Sequence, residues 1–271
     1  MSTLDRRQFL KVSISGSAFA LTAKLLPGRA LMAADHEGSF SPSLFVQIDG
    51  DGTVSITCHR SEMGQHVRTS IVQVVADELE ANFDDVRIIQ APGDPAYGDQ
   101  NTDGSRSIRR NLTRLRQAGA TARHMLRQAA AERWGVDISE CEAVQNVVTH
   151  TPSGKSLGYG ELAAAAGRLP VPEADGVELK SRDQWRYIGK AIKHVDLDAI
   201  TSGQAVFGFD MQMDNLHIAV IARPPVLFGT VKSLDDSAAR AIPGVVNVVQ
   251  LPALQPPAVF NALGGVAVIA T

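Results

Sequence analysis

The sequence predicts an α+β protein, with strands and helices mixed in a first domain and a strand-rich second domain behind it. Three observations lead there. Apolar residues alternate on either side of Asp49-Gly50-Asp51-Gly52, the pattern of a half-buried hairpin around a turn. Apolar residues recur at helical spacing from Val67 to Leu79 and again from Asn111 to Trp134, which marks two amphipathic helices. Beyond the proline-bearing stretch Pro170 to Asp175 the pattern changes to short apolar strands. A length of 271 residues allows one large domain or two ordinary ones, and 44% hydrophobic with 20% charged residues fits a globular chain.

Residues 1–34 read as a targeting segment. Arg6-Arg7-Gln8-Phe9-Leu10-Lys11 is followed by a weakly apolar stretch from Val12 to Leu26 that contains Ser13, Ser15, Gly16, Ser17 and Lys24. That stretch is too short and too polar to span a bilayer. Small residues from Ala30 to Ala34 offer a place to cut, so charge, core and end together describe a secretory signal. The paired arginines resemble a twin-arginine signal, which serves proteins folded before export. The implied partner is the twin-arginine export machinery and the implied location the periplasm.

Residues 40–169 form the first predicted domain. Phe45–Ile48 and Val54–Thr57 make the hairpin, Val67–Leu79 a helix, and Val86–Ile89 a short strand. Ala91 to Ser107 is a loop rich in Gly, Pro, Asp, Asn and Ser. The long helix follows, with Leu112, Leu115, Ala118, Ala122, Met125, Leu126 and Ala129 on one face and Gly135 to close it. Val144–Thr149 is expected as one strand, Pro152–Lys155 as a turn and Tyr159–Ala166 as a helix. Asp77, Glu78 and Glu80 are expected on a solvated face.

Residues 170–182 are the predicted linker and 183–271 the second domain. Its expected strands are Leu216–Ile221, Val226–Ser233, Val245–Val249 and Val266–Ile269, with a brief helix over Asp235–Ala241 ended by Pro243-Gly244. An apolar strand runs into Ala270-Thr271 with no turn after it, so the reading frame is expected to be a truncated or front part of a longer chain.

A net charge of -3 and only 5% aromatic residues argue against a nucleic-acid partner. The two cysteines, Cys58 and Cys141, are too few for an iron–sulfur cluster, which takes about four thiolates, or for a cysteine-rich zinc site; both are expected as buried thiols. His59, His66, His124, His150, His194 and His217 show no metal-ligand spacing, and no nucleophile-elbow, P-loop or dinucleotide fingerprint is present. The sequence therefore nominates no metal ligand and no catalytic residue.

Two loop-to-helix junctions carry the candidate chemistry. In Ser61-Glu62-Met63-Gly64-Gln65-His66 a strand turns at Gly64 into the first helix. A helix start presents unpaired N–H groups and about half a positive charge, which suits an anionic ligand, and Gln65 can donate and accept toward a heterocycle. Ordinary capping by Ser61 or Glu62, with Gln65 facing water, also accounts for this junction. In Asn101-Thr102-Asp103-Gly104-Ser105-Arg106-Ser107 the glycine permits close approach and the serines offer hydroxyls, while Arg106, Arg109 and Arg110 favour phosphate. A capped helix with a solvated arginine cluster fits there as well.

Glu62-Met63-Gly64-Gln65, Arg68-Thr69, Ala76-Asp77-Glu78-Leu79, Gly104-Ser105-Arg106-Ser107, Leu115–Ala120 and Tyr159-Gly160-Glu161-Leu162 together resemble the molybdopterin-binding subunit of the xanthine dehydrogenase and aldehyde oxidase family, in its isoquinoline 1-oxidoreductase beta subunit branch. Tyr187–Lys190, Asp196, Gly203–Asp210, Ala222–Pro225 and Ile242–Val245 resemble that family's a/b hammerhead domain. The resemblance implies a molybdenum–pterin cofactor, as molybdopterin cytosine dinucleotide, whose sulfur ligands belong to the cofactor. It implies hydroxylation of an aldehyde or N-heteroaromatic substrate with water's oxygen, and electrons passing to a small [2Fe–2S] subunit. Gly64, Gln65, Gly104, Ser105, Arg106 and Ser107 are the implied cofactor contacts. His66 stands where the motif has a glycine, and the family's general-base glutamate lies beyond these residues. The competing expectation is a non-catalytic exported module that binds a phosphorylated ligand or a partner subunit.

Overall fold

The computed structural model describes residues 39–257 and 261–271. The proposed signal, residues 1–34, lies outside them. The chain divides into two compact units between Asp198 and Ala199.

The first unit is built on a four-stranded sheet, β1 (Phe40–Ser43), β2 (Val46–Ile48), β3 (Val54–Cys58) and β4 (Arg87–Gln90), paired in that order. The β2–β3 hairpin turns at the Asp-Gly pairs, where Gly52 N–H donates to Asp49 C=O at 2.9 Å. β3 and β4 are parallel, with Ile56 opposite Ile88, because helix α1 (Val67–Leu79) carries the chain over between them. Every residue of β3 is buried, as an interior strand with packed faces requires.

Helix α2 (Leu112–Trp134) packs on α1 and on β1. Its closest approach is at Gly119, where an added Cβ would stand 2.4 Å from the Val75 carbonyl oxygen. Only glycine lets the two backbones come this near. Ile56, Ile71, Leu79, Leu115, Met125 and Leu126 are all 1% exposed or less; each such side chain contributes roughly 1.5–3 kcal/mol by leaving water. Cys58 and Cys141 are buried free thiols, as expected.

The stretch expected as one strand over Val144–Thr149 is instead a hairpin, β5 (Cys141–Val144) and β6 (Val147–His150), extended by β7 (Ser156–Gly158). Gln145 and Asn146 turn it with φ of 45° and 67°, the backbone of a two-residue hairpin turn whose twist matches its strands. Helix α3 (Tyr159–Ala166) follows.

The expected linker at 170–182 is not where the units part. Residues 177–198 stay with the first unit because α1 holds them: the Asp77 carboxylate accepts the N–H groups of Tyr187 at 2.8 Å and Ile188 at 2.7 Å and faces Lys180 Nζ at 2.6 Å. Asp77 and Glu78 are 0% exposed, which overturns the expectation of a solvated acidic face. Glu78 takes Arg116 Nε at 2.6 Å and has Arg123 at 3.8 Å.

The second unit carries an antiparallel sheet ordered β8 (Ile218–Ala222), β10 (Gly265–Ala270), β9 (Val245–Leu251). The short helix α4 (Leu197–Thr201) spans the division and α5 (Ser237–Arg240) precedes β9. Val226–Ser233, expected as a strand, forms none: Gly229 N–H turns back to Val226 C=O at 3.1 Å and Phe228 has φ of 62°. Two prolines just upstream remove ladder donors.

Candidate functional site

The two junctions face one groove. Its walls are Met63, Gln65, Val67 and Ser70 on one side and Thr102, Asp103, Gly104, Ser105, Ser107 and Ile108 on the other, bordering an open groove of about 430 Å³. The sequence separation of some 40 residues is closed because β3 leads into the first wall and parallel β4, next to it, leads into the second.

The first wall differs from its expectation in one respect. The N–H groups expected to greet an anion are already taken by Glu62, whose Oε1 accepts from Gly64 at 2.8 Å, Gln65 at 2.8 Å and His66 at 3.1 Å, while Oε2 accepts from Arg68 at 3.2 Å. Burial alone would raise this carboxyl, yet those four donors outweigh it and hold it below the ordinary glutamate value. A carboxylate at a helix start is favoured by the same dipole that would favour a ligand. Gln65 lines the groove with its amide folded onto its own loop, Oε1 accepting from Met63 N–H at 2.6 Å and Nε2 donating to Ser61 C=O at 2.9 Å.

His66 has φ of 66°, the left-handed conformation that explains a glycine preference at this position. Its ring is not part of the groove wall; it lies over His194, centroids 4.0 Å apart. His194 is buried, with Nδ1 accepting from Asp196 N–H at 3.2 Å and beside the Thr69 hydroxyl at 3.2 Å. With Nδ1 as acceptor the neutral ring carries its proton on Nε2, which has no partner among the described residues. Glu62, His194 and Asp196 each bring a donor atom within 4.8 Å of the others, a juxtaposition that no spacing in the sequence reveals. The two carboxylates are already engaged, Glu62 by four N–H groups and Asp196 by Arg68 Nε at 2.8 Å.

The second wall is the polar one. Gly104 and Ser105 both adopt positive φ, 51° and 54°; the serine bears a strain of about 1–2 kcal/mol that glycine would not. The N–H groups of Ser105 and Ser107 find no backbone acceptor among the described residues. Arg106, nominated with them, turns away: Nε donates to Asp103 at 2.9 Å and the guanidinium faces Asp99 at 3.6 Å. Arg109 lies against the Gly104 and Ser105 carbonyls at 3.4 Å each.

Two ties between the walls went unread in the sequence. Arg60, 1% exposed, donates through Nη1 to the Asn101 carbonyl, and Thr102 Oγ1 donates to the Ser61 carbonyl at 2.7 Å. Just upstream, His59 is fully buried with neither ring nitrogen partnered among the described residues. Burial first, then the charges of Arg114 and Arg60, push it down to about 4.

A family model described as the molybdopterin cofactor-binding domain matches residues 12–219. The chain is 34% identical to the isoquinoline 1-oxidoreductase subunit beta of Brevundimonas diminuta, over 92% of this chain and 37% of that protein. It is 30% identical to a membrane-bound aldehyde dehydrogenase (pyrroloquinoline-quinone) of Gluconacetobacter polyoxogenes, over 91% and 33%. It thus spans about a third of the length of these curated relatives. The crystal structure of quinoline 2-oxidoreductase from Pseudomonas putida 86 aligns at a TM-score of 0.37 and 23% identity, over 48% of this chain and 17% of that one.

Proposed function

Because this chain belongs to the molybdopterin cofactor-binding domain family, we propose that its groove takes the pterin and phosphate portion of a molybdenum cofactor in the large subunit of a molybdenum hydroxylase. The observation that carries the reading is the single groove walled by both junctions, with Gln65 facing Ser105 and Ser107. The donor set fits such a group. Ser105 and Ser107 bring hydroxyls to the rim, their N–H groups lack backbone acceptors among the described residues, and Gly104 presents bare backbone, whereas the Ser70 and Thr102 hydroxyls are given to the His66 and Ser61 carbonyls. Backbone N–H groups and small hydroxyls at a bend suit phosphate oxygens.

The cofactor, when bound, supplies the redox chemistry that inserts an oxygen from water into an aldehyde or N-heteroaromatic substrate. The chain's own residues bind and orient it. Ser105 and Ser107 donate to phosphate, while Gln65 exchanges its loop bonds to Met63 and Ser61 for the heterocycle edge. Arg109, one turn on, adds positive charge near the same bend. Molybdopterin cytosine dinucleotide is the proposed form, a separate [2Fe–2S] subunit the electron acceptor, and residues 199–271 part of an a/b hammerhead-like domain. No residue of this chain is assigned a catalytic role.

Expressed with its genomic neighbours, the protein is expected to purify with molybdenum and a cytidine nucleotide. Gln65→Ala should lower the metal content several-fold, as should Ser105→Gly, which accommodates the left-handed backbone while removing the hydroxymethyl group. Full metal loading in both variants, or a bound quinone with no molybdenum, would contradict the reading. Export through the twin-arginine machinery to the periplasm is part of the proposal; replacing Arg6 and Arg7 by lysine should retain the protein in the cytoplasm, and unchanged export would remove that part.

A further inference from the structure

We propose that Arg60 is a positioning residue that sets the separation of the groove's two walls, so that one phosphate-bearing ligand can bridge them; this rests on the reading of the groove given above. Arg60 leaves β3 with its backbone fixed to the sheet, since its carbonyl accepts from Gln90 Nε2 at 3.2 Å and Cys58 Sγ at 3.3 Å. From that anchored point the side chain crosses to the second loop, where Nη1 donates to the Asn101 carbonyl and faces the Asp99 carboxylate at 3.4 Å. Asp99 in turn accepts from Asn101 N–H at 3.0 Å and lies 3.6 Å from Arg106. One guanidinium therefore orders the whole bend leading to Gly104.

The next residue on each side repeats the tie: the Thr102 hydroxyl donates to the Ser61 carbonyl at 2.7 Å. Residues 60 and 61 thus clip to 101 and 102. Immediately beyond the clip on either chain come the groove residues, Met63 and Gln65 on one side and Asp103 to Ser105 on the other. Ser61 C=O accepts from both Thr102 and Gln65, so the clip also meets the amide proposed to turn toward the cofactor.

Stability alone does not explain this choice of side chain. Arg60 is 1% exposed and its Nε has no partner among the described residues. A buried cation with an orphaned donor is costly, and an apolar side chain of similar size often serves a fold as well or better. What the guanidinium uniquely offers is reach and a fixed fork of donors.

The test uses the 271-residue chain and inorganic pyrophosphate, with binding followed by calorimetry and local order by amide hydrogen exchange. Arg60→Met should weaken pyrophosphate binding at least tenfold and speed exchange at residues 101–107, while protection in α1 and α2 stays at wild-type levels. Arg60→Lys, which retains charge and one donor, should recover part of the binding. Thr102→Val, cutting only the second tie, should cost a few-fold. Wild-type affinity in a folded Arg60→Met variant would overturn the assignment, as would equal loss of protection throughout α2 with no rescue by lysine. Should Arg60→Met fail to fold, Thr102→Val decides, and unchanged binding there overturns the proposal. A wild-type chain that binds no pyrophosphate would instead overturn the ligand reading itself, and the role of Arg60 with it.

Discussion

Helix α1 uses acidic groups in opposite ways at its two ends. At its start Glu62 stands at the mouth of the groove, part-exposed, its carboxylate spread over four backbone N–H groups. At its finish Asp77 and Glu78 are wholly buried and matched to cations, Lys180 for one and Arg116 with Arg123 for the other. Burial would raise the Asp77 carboxyl, but the Ile188 N–H, Lys180 and the Tyr187 N–H hold it below the usual range. One end is built from local contacts that a ligand can rearrange. The other is a junction to chain more than 100 residues away, where any change leaves a charge stranded.

That contrast predicts where mutations hurt. The largest effect belongs to the buried end: Lys180→Met strands Asp77 and should cost about 3–5 kcal/mol, read as a lower midpoint in urea, while ligand binding at the distant groove stays unchanged in the folded fraction. A stability loss under 1 kcal/mol would break the comparison.

Next comes His59, in the strand that feeds the mouth. An unfolded histidine titrates near 6.5, whereas burial and the nearby arginines bring this one to about 4. Its neutral form is the native one, so its contribution is complete above pH 6.5 and is lost as pH falls toward 4, amounting to about 3 kcal/mol. Asp77 and Glu62, both held low, surrender theirs only below about pH 4, which keeps the windows apart. Unfolding free energies measured from pH 7.5 to 4 should fall accordingly, and His59→Leu should flatten that span; an unaltered slope in the variant would refute the assignment.

The smallest effect belongs to the mouth. Glu62→Gln keeps an acceptor oxygen but removes the charge that answers the helix dipole, so it should cost only about 1 kcal/mol. It should also free N–H groups of the first wall toward an anion, seen as tighter pyrophosphate binding. Weaker binding would mean that the carboxylate orders the wall more than it repels the ligand.

The sequence was most legible where one physical pattern dominates. Val67–Leu79 and the long helix ending at Gly135 appear at their expected places because a continuous apolar stripe and a left-handed cap specify them. The acidic end was misread although a signal existed: Glu78 lies on the same helical stripe as Val67, Ile71 and Val74, so it had to be buried and paired. The Gln145-Asn146 turn was missed because a short apolar run hides a two-residue reversal, and the division after Asp198 because proline marks a bend in the chain rather than the end of its contacts. For the groove, the loops themselves were legible from glycine and serine. Glu62 filling the first helix start is the capping alternative the sequence left open, and Arg106 turning to Asp103 is likewise a local contact; the Arg60 and Thr102 ties depend on partners set by the β3–β4 pairing, which local composition does not encode.

The shared groove is tested most directly by following each backbone amide of the isotope-labelled chain during titration with cytidine diphosphate. Residues 64–67 and 104–108 should shift together, along one binding curve with a single Kd, while α2 beyond Gly119 stays still. Shifts confined to one wall, or two walls that respond with different affinities, would contradict a common ligand site.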